Sequence, residues 1–223
     1  MSRPPLDLRL YAVLDPDRTD GRDPLALALR AVRGGATLVQ LRDKRGDTRA
    51  LVGLARGLVA ALEPLGVPLL VNDRVDVALA AGAAGVHLGQ EDMDPSDARR
   101  LLGPDALIGT TVHHPREADE VDPDAADYAG LGPAYATASK NPKDPPLGPD
   151  GIARLLAHLR RRLPGFPACA IAGIDHRNAP DVLNAGVDGV AVISDLFMAA
   201  DVAAAAGRLR RTVDRALDGR NPR

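Results

Sequence analysis

Short apolar runs, rich in Leu, Val and Ile, recur along the chain at residues 8–14, 37–41, 68–71, 85–88, 107–112, 128–131, 168–171 and 189–193. Runs this brief, bounded by Gly, Pro or Asp, read as buried strands. The segments between them carry a different period. Leu25, Ala28, Leu29 and Val32 fall on one face of a helix, which Asp23-Pro24 opens and Gly34-Gly35 closes. Leu51, Leu54, Leu58 and Leu62 repeat that spacing, as do Ile152, Leu155, Leu156 and Leu159, and later Val202, Leu209, Val213 and Leu217. Shorter helices are predicted over 74–81, 96–102, 116–121 and 177–185.

A weak internal repeat marks the passage from helix back to strand. Gly35-Ala36-Thr37-Leu38-Val39, Ala81-Gly82-Ala83-Ala84-Gly85-Val86 and Ala185-Gly186-Val187-Asp188-Gly189-Val190 share one shape, and Ala125-Ala126-Asp127-Tyr128-Ala129-Gly130 is a copy without its first Gly. Glycine after a helix permits a left-handed turn, and small residues lead the chain directly into the next strand. Strands alternating with helices over the whole length predict an α/β fold, a single-domain (β/α)8 TIM barrel spanning 1–223, with its core at about 8–217 and short extensions at both ends. The alternative is an open doubly wound sheet. The first strand-to-helix turn, 15–23, lacks the G-x-G-x-x-G fingerprint of a dinucleotide-binding version.

Composition narrows the function classes. At 223 residues one compact domain is the default. With 28 basic against 30 acidic side chains and 2% aromatics, there is neither the basic face nor the stacking rings of a nucleic-acid binder. No apolar run approaches the ~20 residues of a membrane span, and the N-terminus lacks a signal-peptide layout, so no membrane partner and a cytoplasmic location are expected. The single cysteine, Cys169, excludes an intramolecular disulfide and a multi-cysteine metal site, and is read as a buried strand residue. Only Lys44, Lys140 and Lys143 are lysines among the basic residues. In a chain so biased toward arginine, a lysine marks a place where a compact ammonium is preferred to a planar fork.

Barrel chemistry belongs at the C-terminal ends of the strands. There the chain reads Gln40-Leu41-Arg42-Asp43-Lys44, Val71-Asn72-Asp73-Arg74, His87-Leu88-Gly89-Gln90-Glu91-Asp92 and Gly109-Thr110-Thr111-Val112-His113-His114. The later ends are 130–140, Ala172-Gly173-Ile174 and Ile193-Ser194-Asp195. Strand alternation puts Gln40, Arg42 and Lys44 on one face, pointing into the barrel mouth. Two cations there need anionic company, either a ring of Asp43, Asp73 and Asp92 or a polyanionic substrate. Asp73 and Asp92 end adjacent strands; two carboxylates brought together, with open positions, suit Mg²⁺ bound jointly with substrate phosphates. Gly173-Ile174 and Ile193-Ser194 follow the seventh and eighth strands, where barrels commonly bind a phosphate through backbone N–H groups. The pattern is therefore two anion sites at one mouth, one cationic with a metal and one built from backbone. No Ser-His-Asp or Cys–His grouping emerges. His158, His176 and the Arg-rich end 208–223 are read as surface.

These motifs resemble the thiamine-phosphate synthase family. They are Gln40 to Lys44, Val71-Asn72-Asp73, His87 to Asp92, Gly130-Leu131-Gly132-Pro133 with Thr137-x-Ser139-Lys140, and Gly173-Ile174 followed by Val192-Ile193-Ser194. The resemblance runs from about Tyr11 to Ser194. It implies a (β/α)8 barrel, dependence on Mg²⁺, and transfer of a pyrimidine from 4-amino-2-methyl-5-hydroxymethylpyrimidine diphosphate to 4-methyl-5-(2-phosphoethyl)thiazole, or its carboxylated form, with release of pyrophosphate. It further implies that Gln40, Arg42, Lys44, Asn72, Thr111 and Lys140 bind the pyrimidine diphosphate, with Arg42, Lys44 and Lys140 as the catalytic cations. Asp73 and Asp92 would hold Mg²⁺. Thr137, Ala138, Ser139, Gly173, Ile193 and Ser194 would hold the thiazole phosphate. The implied mechanism is dissociative, through a pyrimidine carbocation, and calls for no protein nucleophile.

Thr111 departs from the serine the resemblance leads one to expect, and Ala172 stands where a second glycine is usual. Competing readings are a thiazole tautomerase with His113 as its base, a non-catalytic sensor of thiazole or thiamine phosphate, or another phosphate-binding barrel. A homo-oligomer is an open possibility. The stretch 141–149 is read as a mobile cover over the site.

Overall fold

The computed structural model describes residues 4–137 and 145–220. Its strands are β1 (Leu10–Leu14), β2 (Leu38–Leu41), β3 (Leu69–Asn72), β4 (Gly85–Leu88), β5 (Leu107–Val112), β6 (Tyr128–Leu131), β7 (Ala168–Ala170) and β8 (Gly189–Val192). All are parallel, and they close a barrel in chain order, β8 pairing back onto β1 through Leu10↔Val190 and Tyr11↔Ala191. Parallel neighbours require a crossover, and helices supply it. These are α1 (Pro24–Arg33), α2 (Thr48–Leu62), α3 (Val75–Ala81), α4 (Pro95–Leu102), α5 (Pro115–Glu120), α6 (Gly148–Arg162), α7 (Ala179–Asn184), α8 (Ser194–Phe197) and α9 (Val202–Asp218). The sheet is closed, so the open doubly wound alternative is set aside.

Strand alternation sorts the side chains into two cores. Leu10, Ala12, Leu14, Val39 and Leu41 face outward onto the helices, in one continuous apolar layer with Leu27, Leu58, Leu156 and Leu209. Tyr11, Val13, Leu38, Leu70, Leu107, Tyr128 and Cys169 face inward and fill the barrel. Cys169 is fully buried, as expected. No helix among the described residues is long and apolar enough to cross a membrane.

The helix starts follow the sequence signals. Asp23 accepts from the Leu25 and Ala26 N–H groups ahead of Pro24; Asp47, Asp94 and Asp201 cap α2, α4 and α9 in the same way. Each such cap contributes about 1 kcal/mol. The internal repeat has a physical basis at the opposite end of the barrel from the strand C-termini. Asp127 Oδ2 accepts from Ile108 N at 2.7 Å, Asp188 Oδ2 from Ala168 N at 2.8 Å, and Thr37 Oγ1 from Leu10 N at 3.1 Å. In these three copies a polar residue just before a strand ties down the backbone of its neighbour; the copy at 81–86 has only small residues there. Arg99 and Arg160 then clamp Asp127 and Asp188 at 2.9 and 2.6 Å.

The structure amends two details. β2 ends at Leu41, so Lys44 lies beyond the strand and alternation does not aim it. Of the expected cover, residues 141–144 lie outside the described residues, while Gly148 and Pro149 already form the first turn of α6. Leu147 N and Gly148 N donate to the Pro133 and Ala134 carbonyls at 2.8 and 3.0 Å, fastening that end to the barrel.

Candidate active site at the strand C-termini

Gln40 follows the inward register of Leu38, and Arg42 extends it one pair beyond the strand, with its N–H donating to the Leu14 carbonyl at 2.8 Å. Both are buried and line a cavity of about 450 Å³ at the C-terminal mouth. Arg42 Nη1 lies 2.5 Å from Asp15 Oδ2, just past the end of β1. Its Nε is buried with no hydrogen-bond partner among the described residues. An orphan donor on a buried guanidinium is costly, and a bound anion would satisfy it.

Thr137, Gly173, Ile193 and Ser194 line the other side of the same cavity. The backbone after β7 is in the left-handed region at both Ala172 (φ 69°) and Gly173 (φ 71°). A Cβ on Gly173 would sit 2.7 Å from the carbonyl oxygens of Tyr135 and Ala136, so glycine is required there for close passage as well as for its torsion. The loop is fastened through Asn178, whose Nδ2 donates to the Gly173 carbonyl at 2.9 Å, and Ala134 N and Tyr135 N donate to the Ile171 and Ala172 carbonyls. Ala138, Ser139 and Lys140 fall outside the described residues.

Asp73 follows β3 and Asp92 lies in the turn after β4, two strands held together by Asn72↔His87 and by Asp73 N donating to the His87 carbonyl at 2.9 Å. The two carboxyls are hydrogen-bonded to one another. Burial and the neighbouring Asp73 carboxylate push Asp92 up to about 6. Burial works in the same direction on Asp73, but the bonds from Asp92 and Lys44 outweigh it and hold Asp73 below the usual range. Of the two, Asp92 is therefore the one that takes up a proton as pH falls toward about 6. Gly89 N donates to Asp92 Oδ2 at 2.7 Å, and Lys44 donates to Asp73 Oδ2 while staying largely exposed. Hard oxygen donors, set so close that they share a proton, suit a divalent cation with few protein ligands.

Asn72 and Thr111 are buried, and both lie outside the cavity wall. The Thr111 hydroxyl meets His87 Nε2 at 2.9 Å, and Gln90 Nε2 donates to the Thr111 carbonyl at 2.5 Å. His87 Nδ1 meets the Tyr128 hydroxyl at 2.9 Å, which meets Tyr11 at 2.8 Å; Gln40 Nε2 donates to Tyr11. Asp15, Tyr11, Tyr128 and His87 carry no role in the sequence reading. Two tyrosines at inward strand positions of so aromatic-poor a barrel are the signal that could have found them. His113 is not part of the cavity: its Nδ1 pairs with Glu117 at 3.0 Å. His158 pairs with Asp119; His176 is exposed, as read from the sequence, and pairs at 2.9 Å with Asp195, which lines the cavity.

Residues 10–196 match the family model described as thiamine monophosphate synthase. The chain is 47% identical to the thiamine-phosphate synthase of Agrobacterium fabrum, over 97% of this chain and 99% of that protein. It is 45% identical to that of Chloroflexus aurantiacus, over 93% and 94%. Among solved structures it is similar to a thiamine phosphate pyrophosphorylase from Pyrococcus furiosus, with a TM-score of 0.82, 35% identity, and coverage of 94% and 97%.

Proposed function

The chain belongs to the thiamine monophosphate synthase family and has thiamine-phosphate synthase activity, and from that premise we propose how its mouth divides the two substrates. The diphosphate of the pyrimidine lies between Arg42 and the Asp73–Asp92 pair, with Lys44 and Lys140 completing its charge. The single observation that carries this reading is Arg42 Nε, a buried guanidinium donor at the cavity with no partner among the described residues. The pyrimidine ring takes the Gln40 side of the cavity. The thiazole phosphate takes the backbone of Gly173, Ile193 and Ser194 with Thr137, Ala138 and Ser139, and Asn72 and Thr111 support the pyrimidine diphosphate from the strand ends.

Asp73 and Asp92 are the residues that would hold Mg²⁺, a reading supported by the mutual influence of their two carboxyls. Bound there, Mg²⁺ would supply positive charge to the leaving pyrophosphate. The chain's own residues do the rest. Arg42 is already fixed by Asp15, so it stabilises charge on the departing oxygens with little reorganisation. The bond from the pyrimidine methylene to the diphosphate oxygen breaks first. The electron-rich 4-aminopyrimidine carries the resulting cation, and the thiazole nitrogen captures it. No side chain need act as a nucleophile.

The tautomerase alternative is not supported by the site: His113, its candidate base, faces Glu117 outside the cavity. Pyrophosphate release from the purified protein tests the reading. It is expected only when both substrates and Mg²⁺ are present; release from the pyrimidine diphosphate alone at the same rate, or without metal, would contradict it.

A further inference from the structure

The side of the cavity proposed for the thiazole phosphate carries charge of the wrong sign for an anion. Asp175 and Asp195 line it beside Gly173, Ile193 and Ser194. We propose that His176 is a positioning residue for that phosphate. Its imidazolium cancels the Asp195 carboxylate and fastens the loop after β7 to the turn after β8, so that the backbone of both can face one phosphate. The inference rests on the thiazole phosphate taking this side of the cavity.

The two carboxylates are answered differently. Asp175 has partners within its own loop: Arg177 N and Asn178 N donate to its Oδ1 at 2.8 and 3.0 Å, and Arg177 Nε lies 3.6 Å from its Oδ2. Burial pushes the Asp175 carboxyl up, but those N–H groups and the neighbouring Arg177 and His176 outweigh it and hold it below the usual range. Asp195 is met from the other loop. His176 Nδ1 lies 2.9 Å from Asp195 Oδ1, and His176 N donates to Asp195 Oδ2 at 3.0 Å, so one residue addresses both oxygens. The partners stand 19 residues apart in the chain, after successive strands.

A carboxylate only accepts, so Nδ1 of His176 carries a proton. With Nε2 protonated as well, the pair has no net charge; with Nε2 bare, the carboxylate charge remains. The Asp195 side chain is 17% exposed against 42% for His176. The carboxylate therefore sits in the wall and the ring at its rim, where a cation can shield an incoming phosphate from the charge behind it. Like charges brought together in a partly desolvated site cost affinity, and an adjacent cation removes that cost.

A latch and a charge shield differ in one respect. If His176 only ties the loops together, removing Asp195 as well repairs nothing; if it cancels charge, removing Asp195 repairs the loss. Calorimetry of the thiazole phosphate, and of the same thiazole with a free hydroxyl in place of the phosphate, decides between them on the wild type, His176→Ala and the double variant His176→Ala with Asp195→Asn. His176→Ala is expected to lose about tenfold in affinity for the phosphate and none for the alcohol, and the double variant to regain most of that loss. The KM for the pyrimidine diphosphate is expected to stay unchanged in all three. Phosphate affinity undiminished in His176→Ala, an equal loss for phosphate and alcohol, a matching rise in the KM for the pyrimidine diphosphate, or a double variant no better than the single would overturn the role of His176. A wild type that binds the phosphate and the alcohol alike would overturn the phosphate site itself, and the inference with it.

Discussion

Arg42 and Asp15 form a charge pair 2.5 Å apart across the β1–β2 mouth, with side chains only 10% and 7% exposed. Removing one partner of a buried pair leaves the other uncompensated, at a cost of about 3–5 kcal/mol. Asp15→Asn is therefore expected to lower the stability of the ligand-free protein by about 3 kcal/mol. Pyrophosphate with Mg²⁺ then becomes the counter-ion to Arg42, so it should raise the melting temperature of the variant more than that of the wild type. Thermal unfolding with and without pyrophosphate checks both; an equal or smaller shift in the variant would place the anion elsewhere.

If Asp73 and Asp92 hold Mg²⁺ as proposed, the raised pKa of Asp92 makes metal binding depend on pH. Asp92 is raised to about 6, so below that pH a cation must displace its proton, and above it the carboxylate is already charged. Mg²⁺ affinity should fall by about tenfold for each pH unit below about 6 and level off above it. The sign for metal-free stability is opposite. A carboxyl with a raised folded pKa stabilises the fold below its unfolded value, and that contribution is lost as pH rises through about 6. Calorimetric titration at several pH values measures the first effect. An affinity that does not change across that range would mean the two carboxyls do not share the site.

Gly109 lies beside Tyr128 in the β5–β6 register, and a Cβ there would meet the Tyr128 ring at 2.0 Å. Gly109→Ala should destabilise by about 1–3 kcal/mol through overpacking. Urea unfolding gives the number, and a change under about 0.5 kcal/mol would show that the ring has room to move.

Ala172 has φ 69°, a torsion that costs an L-residue about 1–2 kcal/mol. Ala172→Gly relieves it against a greater loss of unfolded-state freedom, for a net gain of about 0.5–1 kcal/mol in the same assay. A net loss would show that the Ala172 methyl packs usefully. One of the two departures from the resemblance is thus also a strained residue.

How much of this was legible in the sequence depends on how local each feature is. Strand alternation carried Gln40 and Arg42 into the mouth, and chain-order closure brought Asp73 next to Asp92, because neighbouring strands of a barrel end side by side. Lys44 was misplaced on β2 because the strand stops at Leu41, a boundary no periodicity marks. Asp15 became the partner of Arg42 through the register Leu14↔Leu41, which depends on how two strands slide past one another. Tyr11 and Tyr128 meet across 117 residues of chain. Neither was singled out in the sequence, because their contact exists only once the barrel closes.

In the proposed site Mg²⁺ and the diphosphate are held together by Arg42, Asp73 and Asp92. Its most direct test is calorimetric binding of the pyrimidine diphosphate, with and without Mg²⁺, to the wild type, Arg42→Ala and Asp92→Ala. The wild type should bind tightly only with metal. Asp92→Ala should lose the metal dependence, and Arg42→Ala should weaken binding by about 10²-fold, as expected for a charged hydrogen bond removed from a buried anion. Metal-dependent binding that survives in both variants would contradict the assignment of these residues to the site.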